Sequence, residues 1–193
     1  MKKEVRGKLL LLGILSLISL LFTVIIYYSG FDKPVENYFH YENEGFFNLI
    51  MNYITLLGGR EGIMVISLFI VSFLLIKKMY NYILFYLVSV AGATLFNYEL
   101  KNLFQRVRPE VYGSEFAFPS GHTMASTVAF GALALLLWPK NKKLAIGLLV
   151  FPLLIGFSRI YLDVHWLSDI FGGFFFATLW LAITFYLFYG WKK

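Results

Sequence analysis

The stretch from Leu9 to Tyr28 contains no charged side chain and follows a basic start made of Lys2, Lys3, Arg6 and Lys8. A bilayer-crossing helix needs about 20 predominantly apolar residues, and this run supplies that length. The apolar core of a signal peptide is shorter, ~7–15 residues, and Tyr27-Tyr28-Ser29-Gly30 offers no small-x-small cleavage pattern. The run therefore reads as a retained first span with its N-terminus in the cytoplasm. Further apolar runs cover 62–76, 81–100, 122–138, 144–157 and 167–189. Across all 193 residues, 59% are hydrophobic and the mean hydropathy is +0.71. Charged residues make up 15%, against roughly 25% in soluble domains. One soluble domain of this size cannot hide that much apolar surface, so lipid must cover much of it.

The expected fold is an all-α polytopic membrane protein with six transmembrane helices, forming a single domain over 1–193. The second run, 62–76, is short, so its helix either starts within Gly58-Gly59 or sits in thin bilayer. Between the first two runs lies a mostly acidic connection with Asp32, Glu36, Glu42, Glu44 and Glu61. Within it Phe46, Ile50, Ile54 and Leu57 recur at helical spacing, with Asn48, Asn52 and Thr55 on another face. That pattern predicts an amphipathic helix in the outer interface. His40 has no partner at a telling spacing and reads as a surface histidine.

The net charge of +6 sits at the ends of apolar runs, which is a topology signal rather than a nucleic-acid footprint. Alternating six spans from a cytoplasmic start places Lys77-Lys78, the Lys140–Lys143 cluster and the C-terminal Lys192-Lys193 inside. The same alternation places Lys101, Arg106, Arg108 and Arg159 outside, where the positive-inside rule disfavours them. A phosphate is a reason for basic residues to be there. With no cysteine, disulfides and thiolate metal sites are excluded.

Three segments carry candidate chemistry. His165 and Asp169 are four residues apart, so on a helix the carboxylate reaches one imidazole nitrogen and leaves the other free as base or nucleophile. Arg159, just upstream, offers a fork of donors for an oxyanion. Lys101 and Arg108 are seven apart and share a face if the third span continues outward until Pro109 ends it. Ser120 reads as a helix cap, Gly121 permits close backbone approach, and the helix they open directs N–H groups at an anion, with His122 beside it. Each segment stands at the outer end of a predicted span. Together they supply cation clamps, a nucleophile and a proton donor, which phosphoryl transfer requires. Arg106 and Asp163 fall between these positions and read as rim charges. Asn97, Tyr98 and Glu99 lie near the outer end of the third span, where nothing distinguishes them from helix-end residues.

Lys101-x-x-x-x-x-x-Arg108-Pro109, Pro119-Ser120-Gly121-His122 and Ser158-Arg159-x-x-x-x-x-His165-x-x-x-Asp169 together resemble the tripartite signature of the type 2 phosphatidic acid phosphatase superfamily. The order and internal spacing match, and no signature position departs. The 46–57 segment is likewise similar to the interfacial helix of bacterial members. The resemblance implies a bacterial cell-membrane phosphatase, active on the outer face, with substrates such as undecaprenyl pyrophosphate, phosphatidylglycerol phosphate or phosphatidate. It implies His165 as a nucleophile forming a phosphohistidine, Asp169 as its orienting carboxylate and His122 as the proton donor. Lys101, Arg108, Arg159, Ser120 and Gly121 would hold the phosphate, with Ser158 positioning Arg159 or the phosphate itself. Expected partners are the lipid substrate, water and the bilayer, with no nucleic acid, metal or other cofactor; the sequence leaves oligomeric state open. The competing readings are a metal site at His122, His165 and Asp169, which three nearby cations disfavour, an anion or lipid transporter, and a lipid-binding member without hydrolase activity.

Overall fold

The computed structural model describes residues 3–40, 45–109 and 116–190, and among these all regular secondary structure is helical. Glu42, Glu44 and the terminal Lys2 and Trp191-Lys192-Lys193 lie outside the described residues, as does the side chain of His40. The helices are α1 (Lys3–Ser29), α2 (Asp32–His40), α3 (Phe46–Leu56), α4 (Arg60–Ile76), α5 (Tyr80–Phe104), α6 (Gly121–Leu137), α7 (Lys142–Leu148), α8 (Val150–Tyr161) and α9 (Leu167–Tyr189).

Each predicted span coincides with a helix, the fifth being α7 and α8 together. By length and composition, α1, α5, the α7–α8 pair and α9 suffice to cross a membrane, and α3 with α4 would add a fifth crossing despite a 55° bend. Helix α6 has 17 residues, about 25 Å of rise against a hydrocarbon core of about 30 Å. The α7–α8 junction falls at Leu149, where Pro152 cannot donate to the carbonyl of Leu148.

Helix α6 is the axis of the bundle. Met124, Val128, Ala129 and Ala132 on it are fully buried, enclosed by α4, α5, α7, α8 and α9. Helix α1 runs antiparallel to α9. Lys8 lies over the Phe185 ring at 5.7 Å, Ser16 and Thr178 hydroxyls meet at 2.8 Å, and Phe22 stacks on Phe171 at 5.1 Å. The opposite face of α1 carries Leu10, Leu17 and Leu21 exposed, as a lipid-facing helix requires.

These contacts sort the two ends of the molecule. At one end the Lys8 ammonium donates to Leu135 O (3.1 Å), and Lys77 and Lys140 line one cavity of about 240 Å³ with Leu133 and Leu137. The other end gathers the C-terminal ends of α1, α5 and α8, the N-terminal ends of α6 and α9, and the α3–α4 elbow. Glycines make that convergence possible. A Cβ on Gly172 would lie 2.2 Å from Phe118 Cε2, and one on Gly173 would lie 3.0 Å from Thr123 Cβ. Without side chains there, α9 lets the start of α6 come close enough for Ser120 N–H to donate to Asp169 O (3.1 Å).

Candidate active site

The Lys101–Arg108 segment departs from the expected helix. Helix α5 stops at Phe104, four residues before Arg108, with Gln105 left-handed (φ 47°) and its N–H donating to Lys101 O. Lys101 thus sits in the last helical turn and Arg108 on the chain beyond it, so they converge by a turn and not along one helix face. The Lys101 ammonium donates to Phe116 O, and Arg108 Nη1 reaches Val164 O at 3.4 Å.

The second segment opens α6 as expected. Ser120 occupies the N-cap position, but its hydroxyl makes no cap bond; it accepts from Thr123 Oγ1 at 3.1 Å and is fully buried. Gly121 faces Asn97, whose Oδ1 would stand 3.1 Å from an added Cβ, while Asn97 Nδ2 donates to Pro119 O at 3.2 Å. Asn97 therefore braces the turn, whereas Tyr98 is exposed. Its polar character at the end of an apolar helix was the available signal. On the other side of His122 lies the elbow. A Cβ on Gly58 would be 3.3 Å from His122 Cβ and 2.4 Å from Ile155 Cγ2, and one on Gly59 would be 3.5 Å from His122 Nε2. The α4 helix starts directly after this pair.

The third segment ends α8 and starts α9. Ser158 is buried, and its hydroxyl donates to Ile155 O at 2.7 Å within the turn that carries Arg159. Arg159 Nη1 donates to Thr55 Oγ1 (2.8 Å). Thr55, assigned by spacing to an outlying polar face of α3, is in fact 8% exposed and points at the site. His165 lies in the turn before α9, not on a helix with Asp169. The four-residue spacing still succeeds, because Asp169 in the first turn of α9 reaches back, its Oδ2 3.3 Å from His165 Nδ1 and accepting from Trp166 N–H at 3.0 Å.

Neither of the two residues expected at the rim lies there. Arg106 is not a rim charge: its Nη1 donates to Asp169 Oδ1 (2.7 Å) and Ser168 Oγ (2.6 Å), and its Nη2 to Asp32 Oδ2 (2.8 Å). Spacing missed it because the turn after α5 swings Arg106 behind the imidazole. Asp163 is not at a rim either. It is 2% exposed and left-handed (φ 54°), in the turn where its N–H donates to Ile160 O.

The electrostatics follow from this packing. His165 is 3% exposed, and its proton affinity is held well below the usual 6.5, first by burial, then by the charges of Arg159, Arg108, Lys101 and His122. The same three cations act on His122. The imidazole thus stays neutral while the Asp169 carboxylate stands at Nδ1. That favours the tautomer with the proton on Nδ1 and the lone pair on Nε2. A neutral His165 among fixed cations suits attack on a polyanionic phosphoryl group.

A sequence profile of the PAP2 superfamily matches residues 82–193. Phosphatidylglycerophosphatase B of Bacillus subtilis (strain 168) is 33% identical over 139 residues, covering 66% of this chain and 68% of that protein. The crystal structure of the first transmembrane PAP2 type phosphatidylglycerolphosphate phosphatase, also from Bacillus subtilis, superposes with a TM-score of 0.76 at 28% identity. It covers 95% of this chain and 94% of that one.

Proposed function

We propose a substrate, a mechanism and an orientation for this chain, which belongs to the PAP2 superfamily and is a phosphoric monoester hydrolase of a multi-pass membrane type. The substrate is a membrane lipid phosphate: phosphatidylglycerol phosphate first, by likeness to the Bacillus subtilis enzyme, with undecaprenyl pyrophosphate and phosphatidate as further candidates. One observation carries the reading. A buried neutral His165, held by Asp169, shares the field of Lys101, Arg108 and Arg159 with His122 at one end of the bundle.

In the first step His165 Nε2 donates its lone pair to phosphorus, forming an N–P bond as the P–O bond to the lipid breaks. His122, protonated in the substrate complex, gives its proton to the departing lipid oxygen. The phosphoimidazole is cationic, and Asp169 at Nδ1 stabilises it. In the second step His122 removes a proton from water, whose oxygen attacks phosphorus as the N–P bond breaks. The three cations, the Ser120 hydroxyl and the Gly121 N–H at the start of α6 hold the equatorial oxygens in both steps. Ser158 stiffens the turn that presents Arg159. No step requires a metal. The whole of 1–193 acts as one domain, because α1 packs along α9 and closes the bundle. The end bearing Lys8, Lys77 and Lys140 faces the cytoplasm with both termini, and the site opens extracytoplasmically in a bacterial cell membrane.

The test is phosphate release by purified protein in detergent with excess EDTA, offering phosphatidylglycerol phosphate, undecaprenyl pyrophosphate and phosphatidate separately. Release from at least phosphatidylglycerol phosphate by the wild type, and none by His165→Ala, is the expected outcome. Equal release by His165→Ala would remove the covalent route, and silence on all three lipids would remove the substrate class.

A further inference from the structure

Behind the nucleophile lies a buried polar cluster that phosphate binding does not use. Asp32, 6% exposed at the start of α2, accepts from Ser168 N–H (2.9 Å), Ser168 Oγ (2.6 Å) and Arg106 Nη2 (2.8 Å). Arg106 in turn holds Asp169 Oδ1, leaving Oδ2 for His165 and the Trp166 N–H. The guanidinium is confined on its faces as well, lying 5.1 Å from the Tyr27 ring centroid and 5.5 Å from that of Trp166. Trp166 is pinned by its own Nε1–H to Val107 O (2.9 Å). One continuous chain of contacts therefore runs Asp32, Arg106, Asp169, His165.

We propose that Asp32 is a positioning residue for the nucleophile, acting through Arg106. The inference rests on the phosphohistidine reading above. Its physical content is a division of the guanidinium between two carboxylates. With Asp32 engaging Nη2, Arg106 offers only Nη1 to Asp169, a single bond to Oδ1, so Oδ2 keeps its place and electron density for His165. Without the Asp32 charge, the fork is free to close on Asp169 with two parallel bonds, the geometry a guanidinium prefers with a carboxylate. That rotation withdraws Oδ2 from the imidazole. Asp32 also satisfies the Ser168 N–H at the start of α9, as a cap supplied from another helix, which fixes the turn bearing His165 and Asp169. Asp32 lies outside the 82–193 region matched by the family profile, so it ties the start of α2 to the chemistry of the later helices.

The test compares Asp32→Asn, Arg106→Gln and the double variant with the wild type on phosphatidylglycerol phosphate in detergent. Positioning predicts that Asp32→Asn lowers kcat about tenfold or more, the scale on which outer partners of a functional histidine act, with KM changed less than about twofold. The double variant should be no slower than Arg106→Gln alone, because the two residues act in series. Wild-type kcat in Asp32→Asn, even with a lowered unfolding temperature, would reduce Asp32 to a helix cap and overturn the proposal. Fully multiplicative losses in the double variant would overturn the route through Arg106. If Asp32→Asn does not fold, Arg106→Lys supplies the answer: a single ammonium cannot hold both carboxylates in this geometry, so its kcat must fall, and an unchanged kcat would refute the chain of contacts. His165→Ala, assayed alongside, separates the two failures: activity retained there sinks the phosphohistidine reading, whereas its loss beside a normal Asp32→Asn sinks only this inference.

Discussion

At the scale of single residues, the side chains of the site differ in what their loss should cost. His165→Ala removes the nucleophile and should lower kcat by on the order of 10⁴-fold or more. Asp169→Asn keeps the shape but no longer enforces the Nδ1–H tautomer; a drop of about 10²–10⁴-fold in kcat is expected in the same assay. Lys101→Ala should raise KM, because the ammonium meets charge already present on the substrate, and lower kcat, because it also meets the charge that builds on the equatorial oxygens in the transition state. The pH profile gives a further check. His165 must be neutral to attack, and burial with the surrounding cations lowers its proton affinity, so protonation inactivates it only at a pH below the ordinary 6.5. The limb of kcat/KM assigned to His165, as the one moved or lost in Asp169→Asn, should therefore fall below that value. Short local patterns singled out His165, Asp169, His122, Lys101, Arg108 and Arg159, and these residues stand together at one end of the bundle. Arg106, Asp32 and Asp163 were not legible. Their burial depends on how a left-handed Gln105 and the α1–α2 turn bring distant segments together, and no local periodicity encodes that.

At the scale of elements, the site exists because helix ends are allowed to approach. Gly172 receives the Phe118 ring, and Gly172→Ala would place a Cβ 2.2 Å from it. Overpacking of this kind costs about 1–3 kcal/mol, which should appear as a lower unfolding temperature in detergent together with reduced turnover. Gly58→Ala, at the elbow, would place a Cβ 2.4 Å from the buried Ile155 Cγ2, which must shift, and 3.3 Å from His122 Cβ; a lower unfolding temperature together with reduced turnover is expected. The apolar runs disclosed the main helices to within a few residues, because lipid burial demands length and low charge. They did not disclose that α5 ends four residues before Arg108, or that α3 turns Thr55 inward to hold Arg159. Those features follow from side-chain partners on other helices.

At the scale of the whole molecule, the gathering of Lys8, Lys77 and Lys140 at one end, and of Lys101, Arg108 and Arg159 at the other, is the architectural fact to be explained. The positive-inside rule explains it if the Lys8, Lys77 and Lys140 end is cytoplasmic. The chain lacks cysteine, so single cysteines report orientation cleanly. Val107→Cys, on an exposed residue at the site end, should react with a membrane-impermeant maleimide in intact cells. Lys140→Cys should react only after permeabilisation, and the reverse pattern would invert the topology. The all-helical membrane architecture was readable from hydropathy alone. The number of crossings was not, because α4 and α6 are 17 residues each and their depth depends on the neighbours around them.

The central claim is that phosphorus passes through His165, and the stereochemical course at phosphorus tests it most directly. A lipid phosphorothioate made chiral by isotopic oxygen would be hydrolysed in isotopically labelled water and the configuration of the released thiophosphate read. Two successive in-line displacements, onto His165 and then onto water, give net retention, which is the result the account predicts. Net inversion would mean that water attacks the lipid phosphate directly, and would contradict it.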